Sequence, residues 1–275
     1  MNLAQILNIL RNEPLYCDNS YRNTLLELFH DHAELEREAF TQKRTGIPRS
    51  GTLLEVEDAE IRDGIAIIPV GGPMAINLGE FEKGSGAVDM DDITREVQEA
   101  DENEEVKAII LNFDSPGGTV QGTVELADKI MDVEKPIYSF TRGLMCSAAY
   151  FAACATDGIF ATKSATVGNI GVFTTFMDMS QMAANAGIVV KVFSSGPIKG
   201  AGVPGTSLSV DQQVFLQNRV LAMAKIFQDH VRNRRGAIAD ADMGGQYFSG
   251  LEAGDKGFVD GLVRDMSELE NHLRV

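Results

Sequence analysis

The residues whose types and spacing suggest chemistry gather in one stretch, Lys135 to Gly171, KPIYSFTRGLMCSAAYFAACATDGIFATKSATVGNIG. An extended apolar run, Ile137 to Leu144, turns at Met145-Cys146-Ser147 into Ala148, Ala149, Ala152, Ala153 and Ala155, a run of small residues that reads as a tightly packed helix. A serine therefore sits at a strand-to-helix corner. The first backbone N–H groups of a helix are unpaired and carry the positive end of its dipole, which suits a developing oxyanion. Ser147 is the leading candidate nucleophile; a helix N-cap is the plainer role for a serine in that place.

A nucleophilic serine needs a base. His30, His32, His230 and His272 are the only histidines, all far in sequence from Ser147, and GxSxG is absent, so a Ser-His-Asp triad has no local support. A lysine can serve where burial favours its neutral form. Lys199 is the best placed, following a β-branched run and a Gly-Pro turn among Ile198, Gly200, Ala201 and Gly202, with no acidic residue near; a solvated loop lysine is the alternative. Cys146 is a second nucleophile in principle, but no neighbour marks it as a low-pKa thiolate. Gly117-Gly118, after the buried strand Val106 to Phe113, forms a loop whose N–H groups can approach a ligand closely, or simply a tight turn. GxGxxG after a strand and GxxxxGK[ST] are both missing, so neither a dinucleotide fold nor a P-loop is supported.

The elements that must position these residues alternate. Strand 106–113, the Gly-Gly loop and a helix carrying Val120, Val124, Ala127 and Met131 are followed by strand 137–144, the Ser147 corner, helix 148–155 and a short strand at Ile159-Phe160-Ala161. That order predicts an α/β domain with a largely parallel sheet. Before it, Leu53 to Val56 and Ile65 to Val70 read as strands joined through Asp63-Gly64; the glycine-rich passage to Gly86 reads as loop, and a short helix spans about 91–101. After it come a short helix near Ser180 to Ala186, a strand at Ile188 to Phe193, and a long helix opened by a capping box at Ser209 and Gln212, ending near Arg235. Val214, Val220, Leu221, Ala224, Phe227 and Val231 form its expected apolar face. Residues 1–50 read as a helical arm and linker, 51–265 as the main domain, and 266–275 as a tail or weak helix.

Composition narrows the function. A formal charge of −16 over 275 residues argues against nucleic acid as a partner, because phosphate binding needs clustered Lys and Arg. Three unevenly placed cysteines suit neither a disulfide framework nor a four-ligand zinc site and point to a reducing compartment; no metal or cofactor is implied. The first twenty residues lack a basic start and carry Asn8, Arg11 and Asn12 in their apolar run, so neither a signal peptide nor a membrane anchor is expected. The expectation is a cytoplasmic protein.

Three separated strings, DSPGGTVQGTVELADKI, TRGLMCSAAYFAACATDGIFATKSATVGNIGV and VFSSGPIKGAG, occur in an order that resembles the Ser-Lys signal peptide peptidase family, over about residues 51–265. The resemblance implies a fold like those of crotonase and Clp protease and a serine endopeptidase without cofactor. It places the nucleophile on Ser147, the general base on Lys199, and the oxyanion hole on Gly117 or Gly118 together with Ala148. The chain departs from the family in having Ala148-Ala149 where small glycines are usual, and Asn169 where a serine orients the lysine. The Asn12-Glu13-Pro14-Leu15 segment, Tyr21 and the run from Lys199 to Val210 are similar to the soluble phage and prophage head-maturation branch. That implies extended capsid, scaffold or portal-associated polypeptide as substrate, homo-oligomeric assembly, and a prohead or cytoplasmic location. Other readings are a cellular peptidase degrading unfolded peptides, a crotonase-like acyl-thioester enzyme, or an inert capsid-assembly protein.

Overall fold

The computed structural model describes residues 59–236 and 238–274 together with the backbone of 15–17. The expected arm, apart from 15–17, and the strand expected at Leu53 to Val56 lie outside the described residues. The described chain is an α/β fold with a mixed, largely parallel sheet. Strand β1 is Leu15–Cys17. Strands β2 (Glu60–Arg62) and β3 (Ile65–Gly71) form a hairpin that turns at Asp63-Gly64 as expected, with Glu60–Arg62 rather than Leu53 to Val56 as its first arm; φ values of 51° and 82° place both turn residues in the left-handed region that such a tight turn needs.

The passage to Gly86, expected as loop, contains β4 (Met74–Ala75) and helix α1 (Glu80–Gly84), and β5 (Val88–Asp89) follows it. The glycines there serve close approach: a Cβ on Gly72 would stand 1.8 Å from the Gly86 carbonyl oxygen. Asp89 caps helix α2 (Met90–Glu102) by accepting from the Asp91 N–H at 3.0 Å, and Met90, Ile93, Val97 and Ala100 form its buried stripe. Then come β6 (Ala108–Ser115), β7 (Gly117–Thr119), α3 (Thr123–Met131), β8 (Ile137–Cys146), α4 (Ala148–Ala153), β9 (Gly158–Ala161) and β10 (Thr166–Gly168).

The main sheet runs β11-β10-β8-β6-β3-β2, where β11 is Tyr247–Ser249. β3, β6, β8 and β10 are parallel neighbours; β2 and β11 close the two edges in antiparallel register. β9 pairs with the first half of β8, and β12 (Gly261–Leu262) pairs with β9. Alternation along the strands sends Ala66, Ile68, Ile109 and Leu111 to the helix-covered core and Ile65, Ile67, Ile110 and Phe140 to the opposite face. Helix α8 (Met266–Leu273), at the segment expected as a tail or weak helix, covers that second face with a fully buried Leu269.

Two expectations about the remaining chain fail in part. Helix α5 (Ser180–Asn185) is present, but Ile188 to Phe193 is not a strand: Val189 is 80% and Phe193 94% exposed. β-Branched residues favour strands only where a pleated, half-buried surface receives them, and no described strand pairs here. Helix α6 (Val210–Arg235) has the expected capping box at Ser209 and Gln212, yet only Phe227 and Val231 of its expected stripe are buried, whereas Val214 and Leu221 stand in solvent. Helix α7 (Gly250–Asp255) completes the domain behind β11.

Candidate active site

The parallel ladders bring the candidate residues to one end of the sheet. β6 and β8 last pair at Ser115 and Met145, and β8 and β10 last pair at Cys146 and Gly168. Continuing past those pairs, the three strands deliver Gly117, Ser147 and Asn169 side by side at their carboxyl ends, where open α/β sheets place their ligands.

Ser147 does not act as an N-cap. Its φ of 56° and ψ of −118° are far from the extended geometry of a capping residue, and its side chain caps no N–H of α4. Its own N–H donates to the Gly168 carbonyl at 2.8 Å, and its carbonyl accepts from Phe151 at 2.9 Å, so both backbone groups hold the corner. Oγ is fully buried and has no hydrogen-bond partner among the described residues. A buried unpaired hydroxyl costs about 1–3 kcal/mol, and a non-glycine residue held in a sparse backbone region costs a similar amount. Such strain at a strand-to-helix turn is the geometry by which a serine is held out as a nucleophile.

Helix α4 tolerates this because every residue from Ala148 to Ala153 is buried and four of them are alanine, which lets the helix lie close against α3 and β7. Its other end is strapped by α6. The Arg234 guanidinium donates to the carbonyls of Cys154 and Ala155 at 2.9 and 3.2 Å, and His230 stacks on Phe151 with ring centroids 4.0 Å apart while its Nε2 meets the Phe151 carbonyl at 3.0 Å. Tyr150 donates to the Phe258 carbonyl at 2.9 Å, tying the helix to the closing segment. His230 thus comes to the helix that follows Ser147, but one turn away from that serine and against a carbonyl. His30 and His32 lie outside the described residues.

The glycine pair forms β7 rather than a loop. Gly117, at φ 103°, donates its N–H to Ser115 Oγ at 3.2 Å. Gly118 sits so close to β4 that a Cβ would fall 1.8 Å from the Met74 carbonyl oxygen, so only glycine permits this pairing. Asn169, at φ 57°, donates its side-chain amide to the Gly245 carbonyl at 2.9 Å and its backbone N–H to Gln246 at 2.7 Å.

Lys199 lies apart. It is exposed in the irregular segment after Phe193, and within a single chain it makes no hydrogen bond to Ser147. Cys146 and Cys154 offer no rival: Cys146 points its thiol at the Thr166 carbonyl, 3.7 Å away, and burial pushes the Cys154 thiol up to about 12. Among the described residues no cluster of His, Cys, Asp or Glu is arranged to hold a metal, and no helix is long and apolar enough to cross a membrane.

One contributor went unread in the sequence. Between Phe113 and Ser115 the β6·β8 register shifts, and the Asp114 carboxylate accepts the Leu144 N–H at 3.0 Å across the bulge. Gly143 makes room for it, since a Cβ there would lie 2.3 Å from Asp114 Oδ1. An isolated glycine inside an apolar strand was the available signal. The bulge re-aims the end of β8 toward the Ser147 corner.

Comparisons with known proteins identify the family. The chain belongs to peptidase family S49, whose model matches residues 129–271, and the Clp protease model matches residues 86–167. Among relatives, it is 30% identical to the capsid assembly protease C of Escherichia phage lambda, over 95% of this chain and 63% of that protein. It is 26% identical to the head-tail preconnector protein GP5 of Enterobacteria phage P21, over 95% of this chain and 55% of that protein. The chain therefore spans less than two thirds of either relative's length. Among solved structures, a ClpP1 mutant from Listeria monocytogenes superposes with a TM-score of 0.47 at 13% identity, over 74% of this chain and 94% of that one.

Proposed function

We propose that this protein is a serine endopeptidase that works through a Ser147–Lys199 dyad on extended polypeptide, with capsid or scaffold proteins of a phage head as its substrates. The observation that carries the reading is the buried, unpartnered Ser147 Oγ in a left-handed corner at the carboxyl ends of parallel strands. In the mechanism, neutral Lys199 takes the Ser147 proton as Oγ attacks the peptide carbonyl. The oxyanion is held by the Ala148 N–H and by a glycine N–H of β7, that of Gly117 or Gly118. The ammonium then protonates the leaving amine, and lysine activates the water that hydrolyses the acyl-enzyme.

Asn169 suits the orienting role. Its amide nitrogen is anchored on Gly245, which leaves its side-chain oxygen as the acceptor for an ammonium. Lys199 needs a further step to reach the site, and homo-oligomeric assembly supplies it in this proposal: Val189, Val192 and Phe193 are exposed beside Lys199, and covering them would press that segment into a neighbouring surface.

The test has a chemical and a kinetic arm. A fluorophosphonate probe should label Ser147 and no other serine, and cleavage of casein should fall at least about a thousandfold in Ser147→Ala and in Lys199→Ala. Undiminished activity in either variant sinks the dyad. Cleavage of the neighbouring capsid or scaffold protein at a defined site would separate the phage role from general peptide degradation.

A further inference from the structure

Strand β7 carries the glycine pair of the candidate site and belongs to a small second sheet in the order β1-β7-β4-β5. Its parallel partner β4 covers one edge at Gly118. The other edge is taken by β1, which runs antiparallel with Leu15 opposite Thr119, Tyr16 opposite Gly118 and Cys17 opposite Gly117. Helix α4, which follows Ser147, packs directly on β7. An extended piece of this chain is thus paired, backbone to backbone, along the strand beside the proposed nucleophile.

We infer that Leu15–Cys17 occupies the position of the substrate strand, and that a polypeptide substrate binds by displacing it from the same edge of β7. An uncovered strand edge is a ready template for an extended peptide, with main-chain hydrogen bonds supplying affinity whatever the side chains. A three-residue strand at the far amino-terminal side of the domain is weakly held compared with the main ladders, whose β3·β6 register alone spans seven pairs. The occupant therefore acts as a displaceable plug: it blunts an exposed edge beside a reactive serine and yields to a longer strand. This inference rests on the peptidase reading for the identity of the ligand.

The experiment separates the two. In the full chain carrying Ser147→Ala, binding of fluorescein-labelled reduced casein is measured by anisotropy with and without Tyr16→Pro/Cys17→Pro. Hydrogen-bonded and non-bonded pairs alternate along an antiparallel ladder, so one of these adjacent prolines removes a donor from it. The expected result is a Kd lowered about tenfold, because the competing occupant is removed. An unchanged or raised Kd, or no casein binding by either chain, overturns the inference. Hydrogen exchange on the chain with an unaltered strand checks it without the prolines. Saturating casein should expose the amides of 15–17 while those of 117–119 stay protected, and continued protection of 15–17 overturns it. The peptidase reading fails on a different result, retention of cleavage in Ser147→Ala, which leaves the strand competition standing as a binding property.

Discussion

Ser147 stores free energy that a structural serine would not. Removing its hydroxyl should raise stability while abolishing activity: Ser147→Ala is expected to increase the urea-derived unfolding free energy by about 1 kcal/mol, by relieving a buried unpaired hydroxyl. A loss of stability would mean that Oγ is held by a partner after all. Gly118→Ala has the opposite profile. Its Cβ meets the Met74 carbonyl oxygen at 1.8 Å, so β7 must separate from β4, at a cost of about 1–3 kcal/mol and roughly a hundredfold in kcat/KM as the oxyanion donor moves. Both residues were legible in the sequence, one as a serine at a corner and the other as half of a glycine pair after a strand. The left-handed backbone of Ser147 was not, because it is imposed by a distant partner, the Gly168 carbonyl that takes its N–H. Nor was the exposed setting of Lys199, since a lysine among small residues has the same local sequence whether it faces a pocket or water.

At the level of elements, the seam between α4 and α6 controls how firmly the corner is held. Burial lowers the pKa of His230 from its usual value of 6.5, outweighing the opposing pull of the Phe151 carbonyl. As pH falls, the unfolded chain therefore takes up this proton first. The stabilising contribution is complete above about pH 6.5 and is lost as pH drops through the lowered folded-state value. Replacing the ring in His230→Gln should flatten the decline in unfolding free energy as pH falls below about 6.5, followed by urea denaturation at each pH. An unaltered slope would show that other groups govern acid sensitivity. The strand-helix alternation that fixes the parallel sheet was readable from apolar runs and glycine turns, and so was the α6 capping box. Its burial was not: periodicity marks an apolar stripe, but only the fold shows that the stripe is buried at Phe227, against Phe151 of α4, and at Val231, while Val214 and Leu221 stay exposed.

For the molecule as a whole, a net charge of −16 and an apolar exposed segment pull in opposite directions. Like-charged copies repel at long range, whereas burial of Val189, Phe193 and Leu221 favours contact. Sedimentation velocity should therefore find assembly strengthened by added salt, and Phe193→Glu/Leu221→Glu should shift the protein to monomer with casein cleavage falling in parallel. Full activity in a monomeric variant would show that Lys199 reaches Ser147 within one chain.

Helix α6 also sets a distance. From its first residue, Val210, to its first fully buried one, Phe227, the rise amounts to about 25 Å, and from there the same rod is bolted to the serine's own helix by His230 and Arg234. A helix anchored in this way acts as a ruler. Whatever grips its outer end is held at a set spacing from Ser147, the proposed nucleophile, and shortening the helix by whole turns would change that spacing in steps of about 5.4 Å.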